Sequence, residues 1–232
     1  MSKPRYWLIV PAGGSGKRMK ADCPKQYLRL SQRFVVDITL SSLLDNAAFA
    51  GCVVATGPND QWWRETDASK DGRINTCIGG AERSESVLAA LEALADRARD
   101  DDWVLVHDAA RPCLHPDDLM RLLTELKDHP VGGFLATPVT DTLKRTGPGS
   151  HEVEATIDRS DLWRALTPQM FRFLALKQAL ESAIDSGYPV TDEASAIEFA
   201  GQAPCIVEGR PDNIKITVPA DLALAGFILK RK

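Results

Sequence analysis

The sequence predicts an α/β fold built on a mostly parallel sheet. Two observations carry that reading, and a third qualifies it. Short apolar runs alternate with segments of helical periodicity, a glycine-rich turn follows the first run, and one hairpin pattern interrupts the alternation. The first run, Tyr6 to Val10, is ended by Pro11 and suits a buried strand. Residues 12–33 are polar and broken by Gly and Pro. Val36, Leu40, Leu43 and Leu44 then recur at helical spacing, and Asp45-Asn46 closes that helix. Cys52 to Thr56 and Ile74 to Ile78 read as the next strands. Val87, Leu88, Leu91 and Leu94 give one helix face, with the acidic run Asp100 to Asp102 as its end. Trp103 to His107 is a strand that delivers Asp108, and Pro116 opens a helix carrying Leu119, Leu122, Leu123 and Leu126. Gly133 to Pro138 is a further strand.

The hairpin pattern comes next. Thr142 to Thr146 and Val153 to Ile157 flank the turn Gly147-Pro-Gly-Ser150. A two-stranded hairpin is marginal alone in water, so this arm, at about 139–159, is expected to lie on something. A helix from about Phe171 to Ser186 follows. A second begins at Thr191, with Thr191 as N-cap and Asp192 and Glu193 in a first turn that favours carboxylates, and Gly201 ends it. A strand at Ile206-Val207, the segment Asn213 to Val218 and a helix from Pro219 to about Leu229 complete the chain. No repeat or low-complexity linker divides residues 1–232, so one domain is expected.

Composition excludes several classes. Of 232 residues, 44% are hydrophobic and 26% charged, which suits a globular domain rather than a disordered or fibrous chain. The balance of 28 Lys+Arg against 32 Asp+Glu gives a net charge of −4, so no nucleic-acid partner is expected. No apolar run approaches the roughly 18–20 residues that span a bilayer, so no membrane partner is expected. The five cysteines are odd in number, scattered, and never spaced as Cys-x-x-Cys. That pattern fits reduced thiols in the cytoplasm better than a disulfide framework or a zinc site.

The glycine turn, Pro11-Ala-Gly-Gly-Ser-Gly-Lys-Arg-Met19, permits three readings. A Walker A loop fails at Pro11 and Arg18. A dinucleotide fingerprint fails at Met19, and Pro24 would cut its helix short. A phosphate-binding loop carrying Lys17, Arg18, Lys20 and Lys25 remains, and composition alone leaves it level with a solvated surface loop. Asp108 follows a buried strand at the end where open α/β sheets bind ligands. There a carboxylate suits Mg²⁺ or a substrate hydroxyl, or simply caps a loop. Gly79-Gly-Ala-Glu-Arg-Ser-Glu-Ser86 is a second Gly turn before a helix, able to seat a base or ribose but ordinary in isolation. Asp212-Asn-Ile-Lys215 places a lysine in a late, partly apolar segment and means nothing alone.

Taken together these segments resemble the 2-C-methyl-D-erythritol 4-phosphate cytidylyltransferase family. The resemblance rests on the glycine loop with Pro24-Lys-Gln-Tyr27, on Val106-His-Asp-Ala-Ala-Arg-Pro112, on Thr191-Asp-Glu-Ala-Ser195, and on Val207 to Lys215. It runs from about Leu8 to Phe227. Two positions depart from the usual pattern: Gly13 stands where members usually have Ala, and Ala81 where some have an acidic residue. The resemblance implies a Rossmann-like sheet of the nucleotide-diphospho-sugar transferase type. It implies transfer of a cytidylyl group from CTP to 2-C-methyl-D-erythritol 4-phosphate in bacterial isoprenoid synthesis, with Mg²⁺ on the CTP phosphates and Asp108 as a second candidate for the metal. On the family's pattern, Arg18 and Lys25 stabilise the transition state, while Arg159 and Lys215 position the attacking phosphate. Ala12, Gly13, Gly14, Gly16 and Lys17 hold CTP with Gly80 and Ser86, and Asp108, Thr142 and Thr167 bind the polyol. A homodimer is implied, each arm completing the partner's pocket. Two alternatives stay open: a cytidylyltransferase for another polyol phosphate such as ribitol 5-phosphate, and a nucleotide-binding module without chemistry.

Overall fold

In the computed structural model, which describes residues 3–14, 19 and 22–231, the chain winds around one seven-stranded sheet. The first strand, β1 (Tyr6–Pro11), is central. A small hairpin follows, β2 (Arg29–Leu30) and β3 (Arg33–Phe34), leading into helix α1 (Val35–Leu44). Strand β4 (Gly51–Thr56), strand β5 (Ile74–Ile78), helix α2 (Arg83–Glu92), strand β6 (Trp103–Val106) and helix α3 (Pro116–Leu126) come next. Strand β7 (Gly132–Pro138) precedes the arm, β8 (Leu143–Thr146) and β9 (Val153–Ile157). Strand β10 (Trp163–Arg172), helices α4 (Phe173–Asp185) and α5 (Glu193–Phe199), strand β11 (Cys205–Glu208) and helix α6 (Pro219–Leu229) finish the fold.

The sheet order is β11-β7-β10-β6-β1-β4-β5. All neighbours run parallel except around β10, which is antiparallel to both β6 and β7. The period of two along each strand sorts side chains into two cores. Leu8 and Val10 of β1, with Cys52 and Val54 of β4, pack toward Leu40 and Leu43 of α1 and Leu119 and Leu122 of α3. Trp7, Ile9, Val53 and Ala55 face the opposite layer, with Leu91 of α2, Leu176 and Leu180 of α4 and Ile197 of α5. Helices therefore cover both faces, as a parallel sheet requires. Strand β7 lies so close between its neighbours that a Cβ on Gly133 would stand 1.9 Å from the Cys205 carbonyl oxygen.

The structure corrects several sequence expectations. The longest strand, β10, was not anticipated, because its Thr167-Pro168 breaks the expected pattern; the helix expected from Phe171 starts at Phe173 instead. The short β2–β3 hairpin was also unread. It turns on Ser31 and Gln32, both with positive φ, without the Asn-Gly or Asp-Gly that normally marks such turns. Helix α2 stops at Glu92, well before the acidic run, and Asp102 is instead a buried anchor. Its carboxylate accepts from the backbone N–H of Arg5 (2.8 Å) and Arg99 (3.0 Å) and from Trp7 Nε1 (2.9 Å). The N-cap of α5 is Asp192 rather than Thr191; Asp192 accepts from Ser195 N at 2.9 Å. The arm forms as expected, but within one chain it packs on nothing that hides it: every residue of β8 is exposed, and Val153 is 58% exposed. No helix among the described residues is long and apolar enough to cross a membrane.

Candidate active site

The chain runs outward from β1 to β4 and β5, then returns to β6 on the other side of β1. That reversal splays the loops at the C-terminal ends of β1 and β6 and opens a cleft. The cleft has a volume of about 480 Å³. Three backbone segments form its walls: Ala12 to Gly14 after β1, Gly80 to Arg83 at the start of α2, and Asp108 to Ala110 after β6. Lys25, Gln26 and Lys215 close it.

The glycine loop is held from behind. Ala12 N–H donates to the Ala55 carbonyl at 2.7 Å, extending the β1–β4 ladder by one bond. The Gln26 side chain, 3% exposed, donates through Nε2 to the carbonyls of Ala12 and Gly14. Those bonds turn the loop's carbonyls inward. Gly13 approaches Gly57, and a Cβ there would meet Gly57 N at 3.6 Å, an ordinary contact, so alanine at this position fits the backbone. Gly80 has no such latitude, since a Cβ would stand 2.3 Å from Glu85 Cβ. Ser86 is buried with its hydroxyl 3.1 Å from the Glu82 carbonyl.

Asp108 is the electrostatic centre. Its carboxylate meets Arg83 Nε at 3.1 Å, Arg111 Nε at 3.2 Å and Lys215 Nζ at 2.9 Å. Burial alone would push its pKa up, but Arg83, Lys215 and Arg111 together hold it well below the usual carboxylate range. Arg83 also meets the fully buried Glu193 through both terminal nitrogens, at 2.6 and 3.1 Å. The late segment reaches the cleft through backbone ties: Arg111 Nη1 donates to the Asn213 carbonyl at 2.7 Å, and Ile216 N–H to the Ala110 carbonyl at 2.9 Å. Lys25 Nζ donates to the Ile216 carbonyl at 2.9 Å, which brings Lys25 and Lys215 to the same wall.

Behind Asp108 lies a buried polar chain. Asp108 N–H donates to Thr167 Oγ1 at 3.2 Å. The Thr167 hydroxyl faces His107 Nδ1 at 2.9 Å, and His107 Nε2 faces the Arg111 carbonyl at 3.1 Å. The amide can only donate and the carbonyl only accept, so the neutral ring carries its proton on Nε2 and accepts from Thr167 at Nδ1. Burial pushes the His107 imidazole down to about 4.

The sequence-derived site residues thus divide into four groups. Ala12, Gly13, Gly14, Lys25, Gly80, Ser86, Asp108 and Lys215 line one cleft. Thr167 stands behind it, in contact with Asp108. Thr142 and Arg159 are exposed on the arm and line no wall of this cleft; Arg159 donates to the Thr140 carbonyl. Gly16, Lys17, Arg18 and Lys20 lie outside the described residues.

Comparison with known proteins identifies the family and the fold. The profile of the family described as 2-C-methyl-D-erythritol 4-phosphate cytidylyltransferase matches residues 6–231. The chain belongs to this family. A cytidylyltransferase of that name from Ectopseudomonas mendocina is 53% identical over 220 residues, covering 94% of this chain and 93% of that protein. One from Serratia proteamaculans is 49% identical over 226 residues, covering 97% and 94%. The crystal structure of the Francisella tularensis cytidylyltransferase superimposes with a TM-score of 0.84 at 36% identity, covering 97% of this chain and 99% of that one. Within this cytidylyltransferase fold, four residues at the cleft escaped the sequence reading: Gln26, Arg83, Arg111 and Glu193. Each sits inside a segment that the sequence does display, and Gln26 directly follows Lys25. Arg83 and Glu193 pair across 110 residues of sequence, so no spacing reveals that contact, whereas Arg111 meets Asp108 only three residues away.

Proposed function

We propose that the chain transfers the cytidylyl group of CTP to 2-C-methyl-D-erythritol 4-phosphate. The products are 4-diphosphocytidyl-2-C-methyl-D-erythritol and pyrophosphate. The observation that carries the proposal is the cleft, where Arg83, Arg111 and Lys215 gather around Asp108 and Lys25 lines the wall beside the glycine loop, in a chain of this family. An oxygen of the acceptor phosphate attacks the α-phosphorus of CTP in line, and pyrophosphate departs. Two polyanions must meet, so the protein's contribution is positioning and charge neutralisation rather than covalent help. Lys25 and Arg18 offset charge at the reacting phosphorus. Lys17 and the loop amides of Gly13, Gly14 and Gly16 hold the outgoing phosphates. Ala12, Gly80 and Ser86 read the base, and Asp108 accepts from polyol hydroxyls with Thr167 behind it.

Mg²⁺ belongs to this reading as a companion of CTP. Among the described residues no group of three His, Cys, Asp or Glu could cage an ion, and both Asp108 oxygens already meet cationic side chains. The donor set fits an ion carried on phosphate oxygens, where it supplies further charge neutralisation, better than one held by Asp108.

The exposed arm supports a homodimer with shared sites. Leu143 and Val153 lie open on it, and it carries Thr142 and Arg159 away from the cleft they are assigned to serve. In the dimer, Arg159 of one copy joins Lys215 of the other on the acceptor phosphate. Five free cysteines suit the cytoplasm. The test of the activity is incubation with each of four nucleoside triphosphates against a panel of polyol phosphates that includes ribitol 5-phosphate, reading pyrophosphate release. Release with CTP and methylerythritol phosphate above all other pairs is expected. Preference for ribitol 5-phosphate, or no release with any pair, overturns the proposal.

A further inference from the structure

We propose that Glu193 is a positioning residue for this reaction, acting through Arg83 on Asp108. The reading rests on the proposed cytidylyl transfer. Glu193 opens α5, where a carboxylate is ordinarily explained by the helix dipole. Its surroundings call for more than that. The side chain is fully buried, and both oxygens are taken by Arg83, Oε1 by Nη1 at 2.6 Å and Oε2 by Nη2 at 3.1 Å. The third guanidinium nitrogen, Nε, meets Asp108 Oδ1 at 3.1 Å. One planar cation therefore bridges two carboxylates, and three of its five N–H donors are committed in fixed directions.

The backbone beneath Glu193 is itself fixed. Gln169 of β10, 1% exposed, accepts from Ala194 N–H at 2.8 Å and donates to Asp192 Oδ2 at 2.9 Å. The register of α5 is thus set by the same strand whose Thr167 receives the Asp108 amide. Stability does not account for the pair, because a buried ion pair is often no better than apolar residues of equal volume. Direction does account for it. Without the Glu193 charge, Arg83 faces a single carboxylate and is free to swing all its donors onto Asp108. It then competes with Lys215, which holds the other Asp108 oxygen at 2.9 Å. Glu193 keeps Arg83 at arm's length, so that Asp108 and Lys215 stay presented to the acceptor. The acceptor should feel its loss more than CTP does.

The test compares wild type, Glu193→Gln, Arg83→Gln and the double variant by steady-state kinetics in both substrates, with thermal unfolding as a check of folding. Glu193→Gln is expected to fold, to raise KM for the acceptor about tenfold or more, and to leave KM for CTP within about twofold. The double variant should be no worse than Arg83→Gln, since Glu193 acts only through Arg83. Unchanged acceptor KM in folded Glu193→Gln overturns the proposal, and so do losses that multiply in the double variant. If Glu193→Gln does not fold, Glu193→Asp takes its place. That variant keeps the charge but withdraws it by a methylene, so acceptor KM should still rise, and an unchanged KM overturns the proposal. The wild type run in parallel separates the two readings. An inactive wild type removes the proposed function together with this proposal, whereas an active wild type beside an unaltered Glu193 variant removes this proposal alone.

Discussion

Asp108 shows how single residues acquire their roles here by company rather than by type. Arg83, Arg111 and Lys215 surround it, and Glu193 offsets only one of them, so the cluster keeps positive character suited to a phosphate. Lys25 adds to the same wall from the Ile216 carbonyl. Removing one preorganised charge at the reacting centre typically costs about 10²–10³ in kcat. Lys25→Ala should lose that much turnover while its thermal unfolding matches wild type; a folded variant with full kcat takes Lys25 out of the mechanism. His107 is more demanding, since it must accept from Thr167 and donate to the Arg111 carbonyl at once. Asn at 107 offers an acceptor near Nδ1 and Gln a donor near Nε2, and each leaves one buried partner unpaired, at about 1–3 kcal/mol. Both variants should unfold at lower temperature and lose kcat/KM; wild-type values for either would show that the chain behind Asp108 carries no weight. The sequence displayed Asp108, Lys25 and Lys215 because they stand in recognisable motifs. Gln26 stands in the motif of Lys25 and Arg83 in the second glycine turn, but what they do depends on partners supplied by the fold.

At the scale of elements, the alternating strands and helices were legible because period-two and helical patterns differ plainly in β1, α1 and α3. Strand β10 was not, because Ala165 to Gln169 crosses a register shift that carries Thr167-Pro168 and leaves no clean alternation. Asp102 was likewise misread as the end of a helix. It is a clamp that pins the start of β1 to the start of β6 through Arg5, Trp7 and Arg99. Burial would raise its pKa, but donors from Trp7, Arg5 and Arg99 outweigh burial and hold it below the usual carboxylate range. A lowered value in the fold means stability that is present above the unfolded carboxylate value, near pH 4, and lost as pH falls below it. Asp102→Asn should therefore lower the unfolding temperature at pH 7, and the gap to wild type should narrow as pH drops below about 4. A gap that persists unchanged into acid would mean that the charge at 102 is not what holds the two strands together.

For the whole molecule, the arm was legible from its turn chemistry, whereas its partner is written nowhere in one chain. The mixed-dimer experiment addresses this directly. Arg18→Ala damages a site from the core and Arg159→Ala damages one from the arm, so each homodimer should be nearly inactive. Shared sites place both lesions in one pocket of a mixed dimer and none in the other. With random mixing, roughly a quarter of sites return to activity. No recovery despite demonstrated subunit exchange assigns Arg159 to its own chain's pocket. The sheet order has a consequence of another kind. Among the described residues, strand β7 pairs only with β10 and β11, both of which follow the arm in sequence. A chain emerging from the ribosome can assemble β6, β1, β4 and β5 as soon as residue 106 is free. Strand β7 must then wait, with both edges bare, until about residue 172 has been synthesised. During that interval Phe134, Leu135 and Ala136, all buried in the finished protein, are open to any passing strand. Nascent chains halted between the arm and β10 are thus the stage at which this protein most needs a chaperone.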